Sequence, residues 1–285
     1  MQLSLVLFLP SLFALCPALT AVTRNSTSSP AEFSYTGVDG PLGWTRGNEV
    51  NPTCSTGTNQ SPINIDGAIS VAQSPVKLII RDARLKFTNN GHTLQVTTGG
   101  TLKVGRKKYQ LVQFHFHTPA EHRIDDEFFP LEMHLVFQAA GAQPNDPGKS
   151  KPYCARAPTN HNHQVKLVIG VLFEVYAFST TQLLRSLAGN LPKTPGTTVT
   201  TRRLSFENLI ENIEKNGLYT YQGSLTTPPC SEGITWLVSE KVLPVDVATY
   251  KAFKSIIKFN ARYAQNTPGE ENLITFAKDN YPSTA

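Results

Sequence analysis

Two histidines separated by a single residue lie within residues 111–118, and the alternation around them is the strongest constraint on the fold. Successive side chains of an extended strand point to opposite faces. One face should carry Leu111, Gln113, His115 and His117, and the other Val112, Phe114 and Phe116. The pattern predicts a half-buried β-strand with one face in the core and one face that can bind a ligand.

A second alternating run, residues 131–137, has the same character. Glu132, His134 and Val136 should share one face, opposite Met133, Leu135 and Phe137. The polar residues 118–130, with proline near each end, are long enough to connect two antiparallel strands. Paired in this way, the second strand can supply a third imidazole beside the first two.

The rest of the chain contains short extended segments and few helices. Extended segments are predicted at residues 63–65, 76–80, 85–89, 93–97, 103–104, 165–173 and 234–239, and helices at residues 179–189, 205–217 and 246–259. Turn residues separate the strands at short intervals, which favours an antiparallel sheet over βαβ units. We therefore predict a mainly β (α+β) single domain, built on a large, mostly antiparallel twisted sheet with a few short peripheral helices.

The N-terminus resembles a secretory signal peptide. Residues 3–19 are apolar and end near small residues at Ala18 or Ala21, although no basic residue precedes them. We predict a signal at residues 1–21, a flexible leader at 22–32 and the folded domain at 33–285, hence a secreted protein. The alternative is a buried N-terminal segment. No later stretch has the roughly 18 apolar residues that a membrane span needs, so no membrane partner is expected.

The net charge of +5 and the pI near 9.0 do not indicate nucleic acid binding. Basic residues are scattered, and the short cluster at residues 106–108 lies between two predicted strands, where it is expected to form a solvated turn.

Of the 4 cysteines, Cys16 should leave with the signal, so Cys54, Cys154 and Cys230 remain. Three cysteines cannot all pair within one chain, so one is either free or bonded to another chain. Asn25 and Asn59 lie in sequons and are candidate glycosylation sites.

Three neutral imidazoles without cysteine or carboxylate are the ligand set of a catalytic zinc that keeps one position for water. His115, His117 and His134 would thus bind one Zn²⁺. Gln113 and Glu132 lie on the same faces and can hydrogen-bond the second nitrogen of a ligating ring. The alternative for each histidine is an ordinary packed or surface residue. His161 and His163 form another pair, but in the polar residues 141–163, where solvated side chains are expected.

Several motifs, in the same order along the chain, resemble the α-class carbonic anhydrases, in particular secreted microbial members. They are residues 60–65 (Gln-Ser-Pro-Ile-Asn-Ile), 89–92, 113–117, 121–122, 132–136 and 223–229 (Gly-Ser-Leu-Thr-Thr-Pro-Pro). The resemblance extends over residues 35–262. It implies reversible hydration of carbon dioxide to bicarbonate and a proton, by attack of zinc-bound hydroxide, with minor esterase activity.

The resemblance also implies roles for single residues. Thr226 would accept a hydrogen bond from the hydroxide and direct its own proton toward Glu121, which when ionised only accepts. His92 would be the proton shuttle, since an imidazole titrates near pH 6.5, with water ordered by Asn90 and Gln95. The apolar substrate wall would comprise Val136, Val168, Leu225, Ile234 and Trp236, with Thr227 on its wetter side.

Cys54 and Cys230 would form the disulfide of the secreted members and brace the Thr226 loop. Cys154 would then be free or would link two chains, so the protein would be a monomer or a dimer. Sulfonamide and anion inhibitors are expected to bind.

Two other functions differ in class from this enzyme. One is a catalytically silent binding module on the same fold, in which a zinc ligand is replaced; here His115, His117, His134, Thr226 and Glu121 are all present. The other is a general zinc hydrolase, which the absence of a His-Glu-x-x-His motif disfavours.

Overall fold

The computed structural model describes residues 33–45, 51–139 and 165–281. The predicted signal and leader, Asn25, Cys154 and the pair His161 and His163 lie outside the described residues. Within those residues, no helix is both long and apolar enough to cross a membrane.

Strands dominate the described chain. The strands are β1 (Asn64–Ile65), β2 (Val76–Ile79), β3 (Lys86–Asn89), β4 (Leu94–Val104), β5 (Lys107–His117), β6 (Arg123–Ile124), β7 (Leu131–Ala139), β8 (Val165–Tyr176), β9 (Thr198–Thr200), β10 (Leu218–Ser224), β11 (Glu232–Ser239) and β12 (Leu243–Asp246). The helices are α1 (Thr53–Thr56), α2 (Gln182–Ala188), α3 (Glu207–Lys215), α4 (Val247–Ile257) and α5 (Leu273–Asn280), with one 3₁₀ turn at Gly37–Asp39.

One large sheet organises the molecule and confirms the predicted fold class. In the described part of the chain it has 10 strands, in the order β10-β11-β8-β7-β5-β4-β3-β9, with β12 beside β8 and β2 beside β4. Most neighbours are antiparallel, whereas β11 and β12 run parallel to β8. The central strands β5 and β7 therefore have neighbours on both sides.

The two faces of the sheet bury different hydrophobic clusters. The larger cluster includes Phe114 and Phe116 of β5 and Leu135 of β7, and α4 packs on it through Phe253. The smaller cluster contains Val136 and Trp236 and lies on the face that carries the histidines. Since β7 alternates between the two clusters as predicted, one strand contributes both to the main core and to the candidate site.

The predicted faces of Leu111 and Val112 were wrong. Leu111 packs with the main core, and Val112 packs against the smaller cluster. The cause is a register shift between β5 and β7, because Leu111 lies opposite Phe137 but Gln113 lies opposite Val136. An extra residue at a bulge reverses the side-chain alternation on one side of it.

The predicted strands at residues 93–97 and 103–104 form the single strand β4. Its register against β5 shifts between Thr97 and Gly100, so two glycines lie within the strand rather than ending it. A Cβ atom at Gly100 would lie 2.8 Å from the Ile79 carbonyl oxygen, which explains the need for glycine there. The sequence patterns did not predict α1, α5, β6, β9, β10 or β12.

Candidate metal centre

Neighbouring strands bring the predicted imidazoles together. In the register of β5 and β7, His115 lies opposite His134, and His117 lies opposite Glu132. One nitrogen from each of the three histidines lies within 4.8 Å of the others. His117 and His134 are buried and His115 is half-buried. The alternation of two antiparallel strands is thus sufficient to gather the set.

Each of these rings has its other nitrogen occupied by a hydrogen bond. His115 Nδ1 lies 2.9 Å from Gln113 Oε1, and His117 Nδ1 lies 2.7 Å from the carbonyl oxygen of Asn260. His134 Nε2 lies 2.7 Å from Glu132 Oε1. These acceptors fix the ring tautomers and leave the opposite nitrogen of each ring without a proton.

The set fits a zinc ion. His117 Nε2 is buried and has no hydrogen-bond partner, as expected for a metal ligand. Burial lowers the pKa of His115, His117 and His134 below their usual value, so all three imidazoles are neutral near pH 7. Neutral imidazoles are the form that binds a metal.

Glu132 is the main acceptor behind the imidazoles. Its Oε2 accepts hydrogen bonds from the backbone N–H groups of Glu121 and His122, at 2.8 and 2.9 Å. Its Oε1 lies 2.7 Å from both His122 Nδ1 and His134 Nε2. Burial opposes ionisation of Glu132, but the two imidazoles and their hydrogen bonds outweigh it and hold its pKa well below the usual range.

A second group of potential metal ligands, His122, Glu132 and His134, is explained by these hydrogen bonds. The series of hydrogen bonds continues from His122 Nε2 to the Tyr221 hydroxyl at 2.7 Å, and from that hydroxyl to Ser61 Oγ at 2.8 Å. The group is therefore a buried hydrogen-bond network behind the candidate metal site.

Glu121 lies beside the imidazoles, with Oε1 3.5 Å from His117 Nδ1 and Oε2 4.0 Å from His134 Nδ1. Its Oε1 accepts a hydrogen bond of 2.9 Å from the Arg262 backbone N–H. Burial raises the pKa of Glu121 to about 7, against the opposing effects of His134 and Arg262. The Thr226 hydroxyl also lowers this pKa, although Glu121 Oε2 makes no hydrogen bond of normal length and angle.

The predicted apolar wall is assembled on three adjacent strands. Val136 of β7 lies opposite Val168 of β8, which lies opposite Trp236 of β11. Ile234 is buried in the same hydrophobic cluster and Leu225 packs against it. Thr227 is half-buried. The wall therefore continues the smaller cluster beside the imidazoles.

His92 lies in the turn between β3 and β4 and is half-buried. Asn90 Oδ1 accepts hydrogen bonds from the backbone N–H groups of His92 and Thr93, at 3.0 and 2.8 Å, so Asn90 shapes this turn. The Phe33 ring stacks on the His92 ring, with centroids 4.2 Å apart and an angle of 6° between planes. Gln95 lies opposite His115 in the β4–β5 register.

A disulfide joins Cys54 to Cys230 across a sequence separation of 176 residues. Cys230 lies four residues after Thr226 in the loop of residues 225–231 between β10 and β11, the Thr226 loop, so the bond ties this loop to α1. Asn59 is half-buried, and its backbone N–H donates to Glu232 Oε1 at 2.7 Å.

A family model described as eukaryotic-type carbonic anhydrase matches residues 39–273. The chain belongs to this family. It is 34% identical over 249 residues to the carbonic anhydrase of Neisseria gonorrhoeae, covering 86% of this chain and 88% of that one.

Solved structures agree with the assignment to the carbonic anhydrases. The fungal α-carbonic anhydrase of Aspergillus oryzae is similar with a TM-score of 0.74 and 39% identity, covering 86% of this chain and 98% of that one. The α-carbonic anhydrase of Thermovibrio ammonificans, solved with the inhibitor sulfanilamide, has a TM-score of 0.71 and 30% identity, covering 86% and 99%.

Several residues around this carbonic anhydrase centre were not predicted from the sequence. Gly170 lies opposite His134, and a Cβ atom there would lie 2.9 Å from Glu132 Oε1. A glycine inside an otherwise bulky apolar strand is a signal that sequence reading could have used. Asn260, Arg262 and Tyr221 had no such signal, because each is far in sequence from the group that it contacts.

Proposed function

We propose that this member of the carbonic anhydrase family catalyses the zinc-dependent, reversible hydration of carbon dioxide to bicarbonate and a proton. The observation that carries the proposal is the convergence of three neutral imidazoles whose other ring nitrogens are all hydrogen-bonded.

In the proposal, His115, His117 and His134 hold one Zn²⁺. A zinc ion at such a centre acts as a Lewis acid that lets water ionise near neutral pH. Gln113, Glu132 and the Asn260 carbonyl keep the three rings oriented, since each accepts a hydrogen bond from the ring nitrogen away from the site. These acceptors also make the imidazoles better electron donors.

Thr226 and Glu121 orient the reacting oxygen in this proposal. Glu121 is held by the Arg262 N–H and, when ionised, can only accept hydrogen bonds. A dication bound by the imidazoles would favour that ionised form, because it would lower the pKa of a nearby carboxyl. The Thr226 hydroxyl then donates its hydrogen to Glu121, and the Thr226 oxygen accepts a hydrogen bond from the reacting oxygen. Thr226 and Glu121 together therefore set the direction in which a lone pair of the reacting oxygen points.

The substrate binds against an apolar wall. Carbon dioxide has no charge and accepts hydrogen bonds weakly, so Val136, Val168 and Trp236 can bind it without leaving a polar group unpaired. The half-buried Thr227 lies toward the wetter side, where the more polar bicarbonate leaves.

His92 receives the proton released in each turnover. His92 lies half-buried in the turn between β3 and β4, and an imidazole has a pKa suited to proton transfer in either direction. Asn90 holds the turn, while Gln95 beside His115 can order the water along which the proton moves.

Substitution of a proposed ligand tests this function. In His117→Ala we expect loss of both bound zinc and carbon dioxide hydration, measured by metal analysis and stopped-flow with a pH indicator. The control is Gln110→Ala, an exposed position on the same strand, which should behave like the wild type. Zinc-dependent turnover at the wild-type rate in His117→Ala would refute the ligand assignment.

A catalytically silent binding module remains the alternative, and a wild-type protein that binds zinc without turnover would support it.

We also propose export from the cell, which the Cys54–Cys230 disulfide supports because such bonds persist in oxidising compartments. N-terminal sequencing of the exported chain should start after Ala18 or Ala21; an intact N-terminus on a retained chain would contradict this. Sulfonamides and anions should inhibit the enzyme.

A further inference from the structure

One irregular segment contacts both a proposed zinc ligand and Glu121 through its backbone. The Asn260 carbonyl accepts from His117 Nδ1 at 2.7 Å, and the Arg262 N–H donates to Glu121 Oε1 at 2.9 Å. Residues 258–264 have no regular secondary structure, so no ladder of backbone hydrogen bonds fixes them. The Asn260 N–H donates to the Thr118 carbonyl at 3.2 Å, and side chains of the segment supply its further anchors.

Asn260 anchors the first part of the segment. Its Nδ2 donates to the carbonyl oxygens of Phe116 and His92, at 2.9 and 3.0 Å. Its Oδ1 accepts from the Thr118 N–H at 2.8 Å. These contacts go to the end of β5, to the residue that follows it and to the His92 turn, so they fix the His117 acceptor but leave the Glu121 donor to a second anchor.

Arg262 is that second anchor. Its side chain is 2% exposed, and Nη1 donates to Gln60 Oε1 at 3.0 Å and to the Ser61 carbonyl at 2.8 Å. Nη2 donates to the Cys54 carbonyl at 3.2 Å. Burial lowers the pKa of Arg262 to about 10, so it stays charged at neutral pH. All three bonded acceptors are neutral oxygens. Burial of a cation among them therefore costs desolvation free energy that an apolar side chain in the same space would not.

The acceptors of Arg262 lead to both ends of the Thr226 loop. Ser61 N–H donates to Ser224 Oγ at 2.9 Å, on the N-terminal side of Thr226. Gln60 Nε2 donates to the Cys230 carbonyl at 3.2 Å, on the C-terminal side, and Cys54 is covalently bonded to Cys230. One guanidinium therefore connects the backbone donor of Glu121 to the loop that carries its hydroxyl partner.

We propose that Arg262 is a positioning residue that keeps Glu121 and Thr226 placed so that the Thr226 hydroxyl can donate to the Glu121 carboxylate. This inference rests on the proposed function of the pair and extends it to a residue that does not touch the reacting atoms. In this placement the Thr226 oxygen can only accept a hydrogen bond, so the site prefers ligands that carry a hydrogen on the metal-binding atom. Loss of the placement reduces both the rate of carbon dioxide hydration and this ligand preference.

Arg262→Lys tests the proposal, because it keeps the positive charge but cannot reach all three acceptors. The measurements are zinc per chain, kcat/KM for carbon dioxide hydration, and the dissociation constants of benzenesulfonamide, which binds through an N–H group, and azide, which lacks one. We expect full zinc content, kcat/KM lower by about ten- to a hundredfold, and a smaller preference for benzenesulfonamide over azide. The control, Arg203→Lys at an exposed arginine, should match the wild type.

Wild-type kcat/KM and selectivity in Arg262→Lys would overturn the proposal, as would losses of zinc and activity in equal proportion.

If Arg262→Lys does not fold, Gln60→Leu replaces it, since this variant keeps the guanidinium and two of its acceptors but loses the bond to Cys230. It should shift rate and selectivity in the same direction. Failure of both variants to fold would assign Arg262 to the fold alone. Inactivity of zinc-loaded wild type would instead refute the proposed function itself.

Discussion

At the residue scale, the site depends on acceptors that orient each imidazole. Gln113 and Glu132 were predictable, because each is two residues from its histidine on the same strand face. The His117 acceptor was not, since Asn260 is 143 residues away and acts through its backbone carbonyl, which no side-chain pattern reveals. Local periodicity thus predicts partners within a strand, whereas partners from distant irregular segments need the fold.

His92 provides a prediction at this scale. His92→Ala should lower kcat by up to about a hundredfold while kcat/KM stays unchanged, because only proton release is slowed. Stopped-flow hydration in a buffer of low proton-transfer capacity measures the change, and added imidazole should restore part of kcat. An unchanged kcat in every buffer would remove the shuttle role.

At the scale of elements, strand pairing determines which residues meet. The sequence predicted that β5 and β7 pair and bring His134 to His115, and the register confirms this. It did not predict the bulge that reverses Leu111 and Val112, because a bulge depends on the partner strand. It also missed the contact between β8 and Glu132, where Gly170 leaves room for the carboxylate.

Gly170→Ala tests that contact. The added methyl group would displace Glu132, so we expect the free energy of unfolding to fall by about 1–3 kcal/mol and zinc affinity to weaken. Urea unfolding and competition with a chelator measure the two effects. Gly99→Ala is the control, because a Cβ atom there would meet only the Gln110 side chain at 3.9 Å. Equal behaviour of the two variants would show that Glu132 tolerates the displacement.

At the scale of the whole molecule, two distant segments meet at the disulfide. Cys54 and Cys230 are fully buried beside Tyr35 and Trp44, in an aromatic cluster that also contacts Phe33. The number of cysteines was known from the sequence, but the pairing of Cys54 with Cys230 was predicted from the family resemblance, because spacing alone does not specify disulfide connectivity. The disulfide joins the N-terminal part of the domain to the Thr226 loop.

Removal of this bond should destabilise the protein. For the double variant Cys54→Ser and Cys230→Ser we expect the free energy of unfolding to fall by about 2–5 kcal/mol, because the unfolded chain loses a long covalent loop. Guanidinium unfolding of zinc-loaded protein, with Ser55→Ala as a control, measures the change. A midpoint equal to that of the wild type would show that the network around Arg262 holds the loop without the disulfide.

We propose that three imidazoles, His115, His117 and His134, make this member of the carbonic anhydrase family dependent on zinc. The most direct test is stopped-flow carbon dioxide hydration by the same preparation of wild-type protein as purified, after removal of metal, and after reconstitution with one equivalent of Zn²⁺. We expect rapid turnover that disappears with the metal and returns with it. Full zinc occupancy without turnover, or turnover that survives metal removal, would contradict this proposal.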